Sequence, residues 1–278
     1  MKQIIDHITS HLSDLYDADE ARALAWWVVE EMTGLTRANL QIDDKDSTKF
    51  PNVQIFDPII ARLRQFEPIQ YIFGHTFWCG LDLKLTKATL IPRPETAELV
   101  ERISHSSFPV SSSPFRVLDL GTGSGCIALA LKQKHPEWEI TGIDISVEAI
   151  EIARENATRN HLNVSFLQTD IFSKEIENQS YDLIVSNPPY IRECEKKDMR
   201  LNVLNFEPPS ALFVPDDDPL LFYRRIASLR IATYLFFEIN ENLSVEIEQM
   251  LKNLNYENIQ LANDIYGKPR IFQARITR

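Results

Sequence analysis

Only three cysteines occur in the 278 residues, Cys79, Cys126 and Cys194. None stands at the spacing of a metal site or of a disulfide framework, which points to a reducing compartment. The chain has no run of about eighteen apolar residues, so no membrane-spanning helix is expected. Its opening stretch, MKQIIDHITSHLSDLYD, has apolar residues at helical spacing broken by acids, unlike a secretory leader. A cytoplasmic location is the expectation. The six histidines are scattered and form no ligand cluster, so no metal is expected. Internal repeats and long low-complexity tracts are absent. Positive charge is also scarce: 29 Lys and Arg stand against 40 Asp and Glu, a net charge of −11. Proteins that grip a long nucleic-acid backbone usually carry an excess of cations on one face. The balance therefore weighs against DNA or RNA as the main partner and leaves a protein or small-molecule substrate.

What is present is ordinary for a globular chain, 44% hydrophobic and 25% charged residues, and it falls into three parts. Residues 1–75 read as a helical domain. DADEARALAWWVVEEMTG has Asp17 or Asp19 as an N-cap and Gly34 as a stop. FDPIIARLRQF, from Phe56 to Phe66, is a second periodic stretch, and Trp26 and Trp27 read as core residues. Residues 76–93 read as a hairpin or linker, with alternation in LDLKL and two prolines in IPRPET. Residues 94–278 read as the catalytic domain, beginning with a helix at ETAELVERIS. The Ser-rich stretch 104–114 reads as a surface loop. From Phe115 strand and helix patterns alternate: FRVLDL, SGCIALALKQK, EITGIDI, SVEAIEIARENATRN, VSFLQ, YDLIVS, DPLLFYRRIASL, TYLFFEI, SVEIEQMLKNL and RIFQARI. Continuous apolar strands between amphipathic helices predict an α/β fold with a mostly parallel sheet covered on both faces.

Ligands of such sheets bind at the carboxyl ends of the strands, and four of those ends carry chemistry. LDLGTGSG places Gly121, Thr122, Gly123, Ser124 and Gly125 at a strand-to-helix turn where bare backbone admits a nucleotide-like ligand; a glycine turn without a ligand is the other reading. Its G-x-G-x-G spacing resembles the first motif of S-adenosylmethionine-dependent methyltransferases more than a dinucleotide fingerprint. Asp144 follows about twenty residues later, where a carboxylate accepts from ribose hydroxyls; alternatively it caps the next helix, a task Ser146 can also perform. QTDIF places Asp170, Ile171 and Phe172 beside the adenine, or in a plain exit loop.

The fourth end is SNPPYI. One proline suffices to end a strand; here Pro188 biases Asn187 to an extended shape and Pro189 does the same to Pro188. The Asn187 side chain and the Pro188 carbonyl are then two acceptors on a rigid corner, suited to a group with two N–H donors. Tyr190 adds a ring on which a planar group can stack. Asn187, Pro188 and Tyr190 are the expected catalytic residues, and Asn187, Pro188, Pro189 and Tyr190 the expected substrate contacts. The motif resembles the N/D-P-P-Y/F/W corner of methyltransferases that act on amide or aromatic amine nitrogens.

PIQYIFGHTFWCGLDL, LIPRPETAELVE, VLDLGTGSGCIALALK, SNPPYI and FEPPSALF…LLFYRRI occur in one order over most of the chain. Together they resemble the PrmC/HemK family of bacterial peptide-chain release-factor glutamine N5-methyltransferases. The resemblance implies a class I S-adenosylmethionine-dependent methyltransferase fold, Rossmann-like with a seven-stranded sheet, and a small helical N-terminal domain that docks the release factor. It implies S-adenosyl-L-methionine as cofactor, bound by Gly121 to Gly125, Asp144, Ile171 and Asn187, and the GGQ-loop glutamine of class-1 release factors as substrate. Arg93 and Glu95 of IPRPET match the family's linker beside the cofactor pocket. The chain departs from the pattern in having Ile171 where Trp is frequent, VPDDDP at 214–219 where glycines are frequent, and EIN for EIG or EHG. Two other readings stay open: a nucleic-acid amino-methyltransferase acting on adenine N6, cytosine N4 or guanine N2, and a non-catalytic cofactor-binding module. Residues 1–85 hold 8 basic and 13 acidic residues, which disfavours the first.

Overall fold

The computed structural model describes residues 1–42, 52–109 and 114–276. The chain forms two compact units, Met1–Gly74 with Arg200–Phe206, and His75–Met199 with Glu207–Arg278.

The first unit is helical. It contains α1 (Lys2–Leu12), α2 (Ala18–Thr33), α3 (Arg37–Ile42), α4 (Asp57–Leu63) and α5 (Ile69–Phe73). Asp17 caps α2 by accepting from the Glu20 N–H at 2.8 Å, and Gly34 ends it in the left-handed region at φ 68°, its N–H returning to Glu30 O. Ile4, Ile5, Ile8, Leu12, Trp26, Val29, Phe56 and Leu63 build the core. Trp26 lies in that core, while Trp27 packs at its margin and donates to Glu31 at 3.1 Å. Helix α4 stops at Leu63, three residues short of the Phe66 expected from periodicity. Phe66 is left-handed at φ 62°, and Arg62 turns to pair with the buried Glu67 at 2.7 Å.

The second unit opens with an antiparallel hairpin, β1 (His75–Trp78) and β2 (Leu81–Lys84). Next come α6 (Pro94–Ser104), β3 (Arg116–Leu120), α7 (Cys126–Lys134), β4 (Glu139–Asp144), α8 (Val147–Arg159), β5 (Ser165–Gln168) and β6 (Tyr181–Ser186). A two-residue strand β7 (Ile191–Arg192) pairs with β8 (Phe213–Val214); between them α9 (Leu201–Phe206) belongs to the first unit. The chain continues through α10 (Leu221–Leu229), β9 (Ala232–Glu238), α11 (Ser244–Asn253), β10 (Glu257–Asn263) and β11 (Pro269–Arg275). Residues 110–113 of the Ser-rich stretch lie outside the described residues.

The sheet order is β10-β11-β9-β6-β3-β4-β5, with β11 the one antiparallel member. Alternate residues of each central strand feed opposite faces. Leu118, Ile184, Leu235 and Phe237 pack on the side of α10 and α11, whereas Val117, Leu183, Val185 and Phe236 pack on the side of α6, α7 and α8. Strand β10, ENIQLAN, was not legible in the sequence. It is an edge strand with mostly exposed side chains, so it carries no apolar alternation. The fold is a class I methyltransferase α/β sandwich with a seven-stranded, mostly parallel sheet.

Candidate active site

Chain order along the sheet reverses between β3 and β6, and the crevice at such a switch point is where α/β sheets hold ligands. The register aligns the four ends. Leu120 lies beside Ile143, Asp144 beside Gln168, and Asp119 beside Val185. From β6 across β3 and β4 to β5 is three strand spacings, roughly 14 Å, the scale of an extended nucleoside with an amino-acid tail.

The glycine turn is held from below. The Gly121 and Thr122 N–H groups donate to Ile143 O, each at 2.9 Å, and Thr122 Oγ1 donates to Asp119 Oδ2 at 2.6 Å. Thr122 and Ser124 are buried, and the Ser124 carbonyl accepts from Asn156 at 2.9 Å. The glycines divide by surroundings. Gly121 and Gly123 adopt φ of 75° and 56°, and a Cβ on either would meet nothing within 4 Å. Their backbone faces open space, a cradle that a side chain would fill. A Cβ on Gly125 would instead sit 2.9 Å from the Phe166 ring, so that glycine serves close packing of α7 against the sheet.

Asp144 links two loops. Its Oδ2 accepts from Gly123 N and its Oδ1 from Ser146 N, both at 2.9 Å. The helix that follows is capped by Ser146, whose hydroxyl accepts from Ala149 N. Each Asp144 oxygen keeps a lone pair for a diol. Ile145, next in sequence, is 59% exposed, an apolar surface that sequence reading missed. Ile171 is partly buried against the core, and its carbonyl accepts from Arg225 at 2.8 Å. Phe172 is exposed and meets Phe222 at 5.9 Å between ring centroids. Asp170 turns one oxygen onto the Phe172 N–H of its own loop, at 2.9 Å.

The proline corner is fastened to β3. Ser186 Oγ donates to Leu120 O at 2.6 Å, which ties the end of β6 to the start of the glycine turn. Asn187 Nδ2 donates to Thr96 Oγ1 at 3.2 Å, while its Oδ1 is buried with no partner among the described residues. An orphan acceptor of this kind costs stability, about 1–3 kcal/mol, unless a ligand donor completes it. Among the described residues no donor is placed on the Pro188 carbonyl. The Tyr190 hydroxyl donates to Glu238 Oε1 at 3.2 Å, and the Tyr190 carbonyl accepts from Asn240 at 3.2 Å. Asn240 is the residue that departs from the family's glycine, and its side chain holds this corner. Burial pushes the Tyr190 phenol above its ordinary range, with the Glu238 charge adding to it. Burial likewise raises the Glu238 carboxyl, against the pull of the Thr96 hydroxyl and Arg270.

From IPRPET the structure brings in Thr96 and Arg93. Arg93 places one guanidinium nitrogen 2.7 and 2.8 Å from the two oxygens of buried Glu207. The hairpin is anchored beside the glycine turn by Asn156, which accepts from Lys84 N at 2.7 Å and donates to Lys84 O at 3.1 Å. Thr96, Ser186, Glu207 and Glu238 were not legible as site-supporting residues. Their motifs were visible, but their partners lie in segments far apart in sequence.

Asp119 is fully buried, and its Oδ1 has no partner among the described residues. Burial pushes its carboxyl up to about 7; bonds from Thr122 and Ala128 act against burial, and the Asp144 charge adds to it. Between the ordinary 3.8 and about 7 the folded protein thus holds a proton that the unfolded chain has released. Stability from this group is fully present below that window and is lost as pH rises through it. Denaturant unfolding without ligand should show wild type losing about 2 kcal/mol more than D119N between about pH 5 and pH 6.5. Equal slopes for the two proteins would disprove the buried-proton assignment.

The sheet order, the open glycine cradle and the orphan acceptor on a rigid N-P-P-Y corner define a class I methyltransferase. Residues 97–205 match the Methyltransferase small domain family and residues 3–74 the PrmC N-terminal domain family. The chain is similar to the release factor glutamine methyltransferase of Bacteroides thetaiotaomicron, 41% identical over 282 residues and 99% of both chains. It is also similar to that of Flavobacterium psychrophilum, 39% identical over 270 residues and 94% of both. The chain belongs to the release factor glutamine methyltransferase family. In fold alone it is similar to the hMettl16 catalytic domain solved in complex with a MAT2A 3'UTR hairpin, with a TM-score of 0.55 and 16% identity, covering 72% of this chain and 77% of that one. Among the described residues no helix is long and apolar enough to cross a membrane.

Proposed function

We propose that the protein methylates the side-chain amide nitrogen, N5, of the glutamine in the GGQ loop of class-1 peptide chain release factors, using S-adenosyl-L-methionine. The observation that carries this reading is the buried Asn187 Oδ1, next in sequence to the Pro188 carbonyl, neither with a donor among the described residues. Family membership points to the same substrate.

When bound, the cofactor supplies an electrophilic methyl group and its own leaving group. Gly121 and Gly123 would face it with bare backbone, and Asp144 would accept from its ribose hydroxyls. Ile145, Ile171 and Phe172 would provide apolar surface near its base. Asn187 Oδ1 and Pro188 O would each take one N–H of the glutamine amide. Held this way, the nitrogen turns its lone pair out of conjugation and toward the methyl carbon. The same acceptors stabilise positive charge as it develops on nitrogen. Alignment to within about 3–3.5 Å of the reacting atom supplies much of the rate. The alkylated nitrogen is a strong acid and gives its proton to Asn187 or water without a dedicated base.

A helical domain, residues 1–75, would dock the release factor, followed by a 76–93 linker and a 94–278 catalytic domain, out of which Arg200–Phe206 groups with the helical unit. The net charge of −11 favours a protein over a nucleic acid as substrate, and a cytoplasmic location follows from that substrate. The test is transfer of labelled methyl to a release factor, repeated with its GGQ glutamine changed to alanine. Label lost with the glutamine is the expected result; label retained would overturn the assignment.

A further inference from the structure

We infer that Glu238 is a positioning residue that sets the direction of the Asn187 amide through the Thr96 hydroxyl, and that it holds the Tyr190 hydroxyl with its other oxygen. The inference rests on the substrate reading above only for what the outward-facing Asn187 oxygen binds.

The two ends of a primary amide have the same shape and opposite hydrogen-bonding character, so only their partners decide which way it faces. Among the described residues Asn187 has one such partner, Thr96 Oγ1, at 3.2 Å. A threonine hydroxyl carries a single proton, and here it is committed. Thr96 Oγ1 lies 2.6 Å from Glu238 Oε2, and both residues are buried, at 2% and 1% exposure. Toward Asn187 the hydroxyl therefore offers only lone pairs. The amide must present Nδ2 to Thr96, and this turns Oδ1 to the opposite side, where it stands buried and unpartnered.

If the Thr96 proton were free to rotate, it could donate to Asn187 Oδ1. The amide would then flip and offer two N–H donors to the site. A donor cannot receive the N–H of a substrate amide, so one polarity of this chain is productive and the other is not. Glu238 ends β9, Thr96 lies in the first turn of α6, and Asn187 follows β6. The polarity is thus read across three elements that meet only in the folded protein. The second carboxylate oxygen accepts from Tyr190 at 3.2 Å. One buried acceptor then orients both side chains of the corner.

Thr96→Val keeps the shape and removes the hydroxyl, while Thr96→Ser keeps the hydroxyl. With release factor as substrate, T96V should lower kcat about tenfold, the scale of one lost orienting hydrogen bond. KM and the cofactor Kd should stay near wild type, and T96S should restore kcat. E238Q should lower kcat as well, because only one end of the Gln amide is an acceptor and one of the two hydroxyls would face its NH₂, and it should add less in the T96V background than alone. Independently of turnover, hydrogen exchange at the Asn187 side-chain NH₂, read by 15N NMR of the ligand-free protein, should quicken in T96V but not in T96S. Equal kcat in T96V and wild type, parallel losses in T96V and T96S, additive effects with E238Q, or unchanged exchange would each overturn the inference. A wild-type protein that fails to label release factor would instead overturn the substrate reading, and the exchange measurement would still decide the orientation.

Discussion

Asn187→Ala should reduce kcat on a release factor by a factor on the order of 10²–10³, about 3–4 kcal/mol of barrier. The change removes a buried acceptor whose side chain has, among the described residues, no hydrogen-bond partner but Thr96. Its cost therefore falls on the transition state, where the amide nitrogen gains positive charge. The cradle of Gly121 and Gly123 and the carboxylate of Asp144 are left in place, so calorimetry should find cofactor affinity changed far less than kcat. Folding should survive, because β6 remains fastened to β3 by Ser186 on Leu120 at 2.6 Å. Equal losses in turnover and cofactor affinity would contradict the donor-holding role and make Asn187 a cofactor ligand first.

Arg93→Met should cost about 3 kcal/mol of stability, and R93M/E207Q should regain most of it. Glu207 has a side chain only 1% exposed, and Arg93, 30% exposed, is the cation beside it. Removing that cation leaves a buried carboxylate that, among the described residues, keeps the Ile91 N–H alone, at 3.4 Å. Breaking one side of such a pair typically costs about 3–5 kcal/mol, whereas neutralising both sides costs little; partial exposure of Arg93 favours the lower end. Burial already pushes Glu207 above its ordinary 4.5, with Arg93 restraining it. Without Arg93 the folded-state value climbs further. The penalty should therefore be absent below about pH 4.5, where Glu207 is protonated in both states, and grow as pH rises. Thermal melting of the two variants across pH provides the measurement, with a fall of roughly 6–12 °C for R93M near neutral pH. A double variant no more stable than R93M would show that packing, rather than the stranded charge, sets the cost.

The legible and illegible parts of this protein separate by the range over which the physics acts. Strands such as YDLIVS and TYLFFEI were readable because burial on both faces leaves a continuous apolar run. The cap at Asp17, one of two candidates with Asp19, and the stop at Gly34 were readable because both act within one helical turn. The chain has only eight glycines, and three fall between 121 and 125, so the turn that needs positive φ stands out. Strand β10 was not readable because it is exposed at the sheet edge, and α9 because its partners lie far back in the chain. The doubled proline was readable as a rigid corner, since proline acts on its own φ and on the residue before it.

The sequence by itself determined the class of fold and marked the four strand ends and the chemical kind of group that the corner is proposed to receive. Each of these depends on local rules: periodicity, backbone restriction, and the donors and acceptors a residue type carries. Tertiary structure alone decided which way those groups face. It gave Gly121 and Gly123 open space and Gly125 a neighbour at 2.9 Å. It brought Thr96 and Glu238, 142 residues apart, to 2.6 Å, and so turned the Asn187 oxygen away from Thr96. A hydrogen bond is directional, and its direction is set by a partner whose sequence position no local rule constrains.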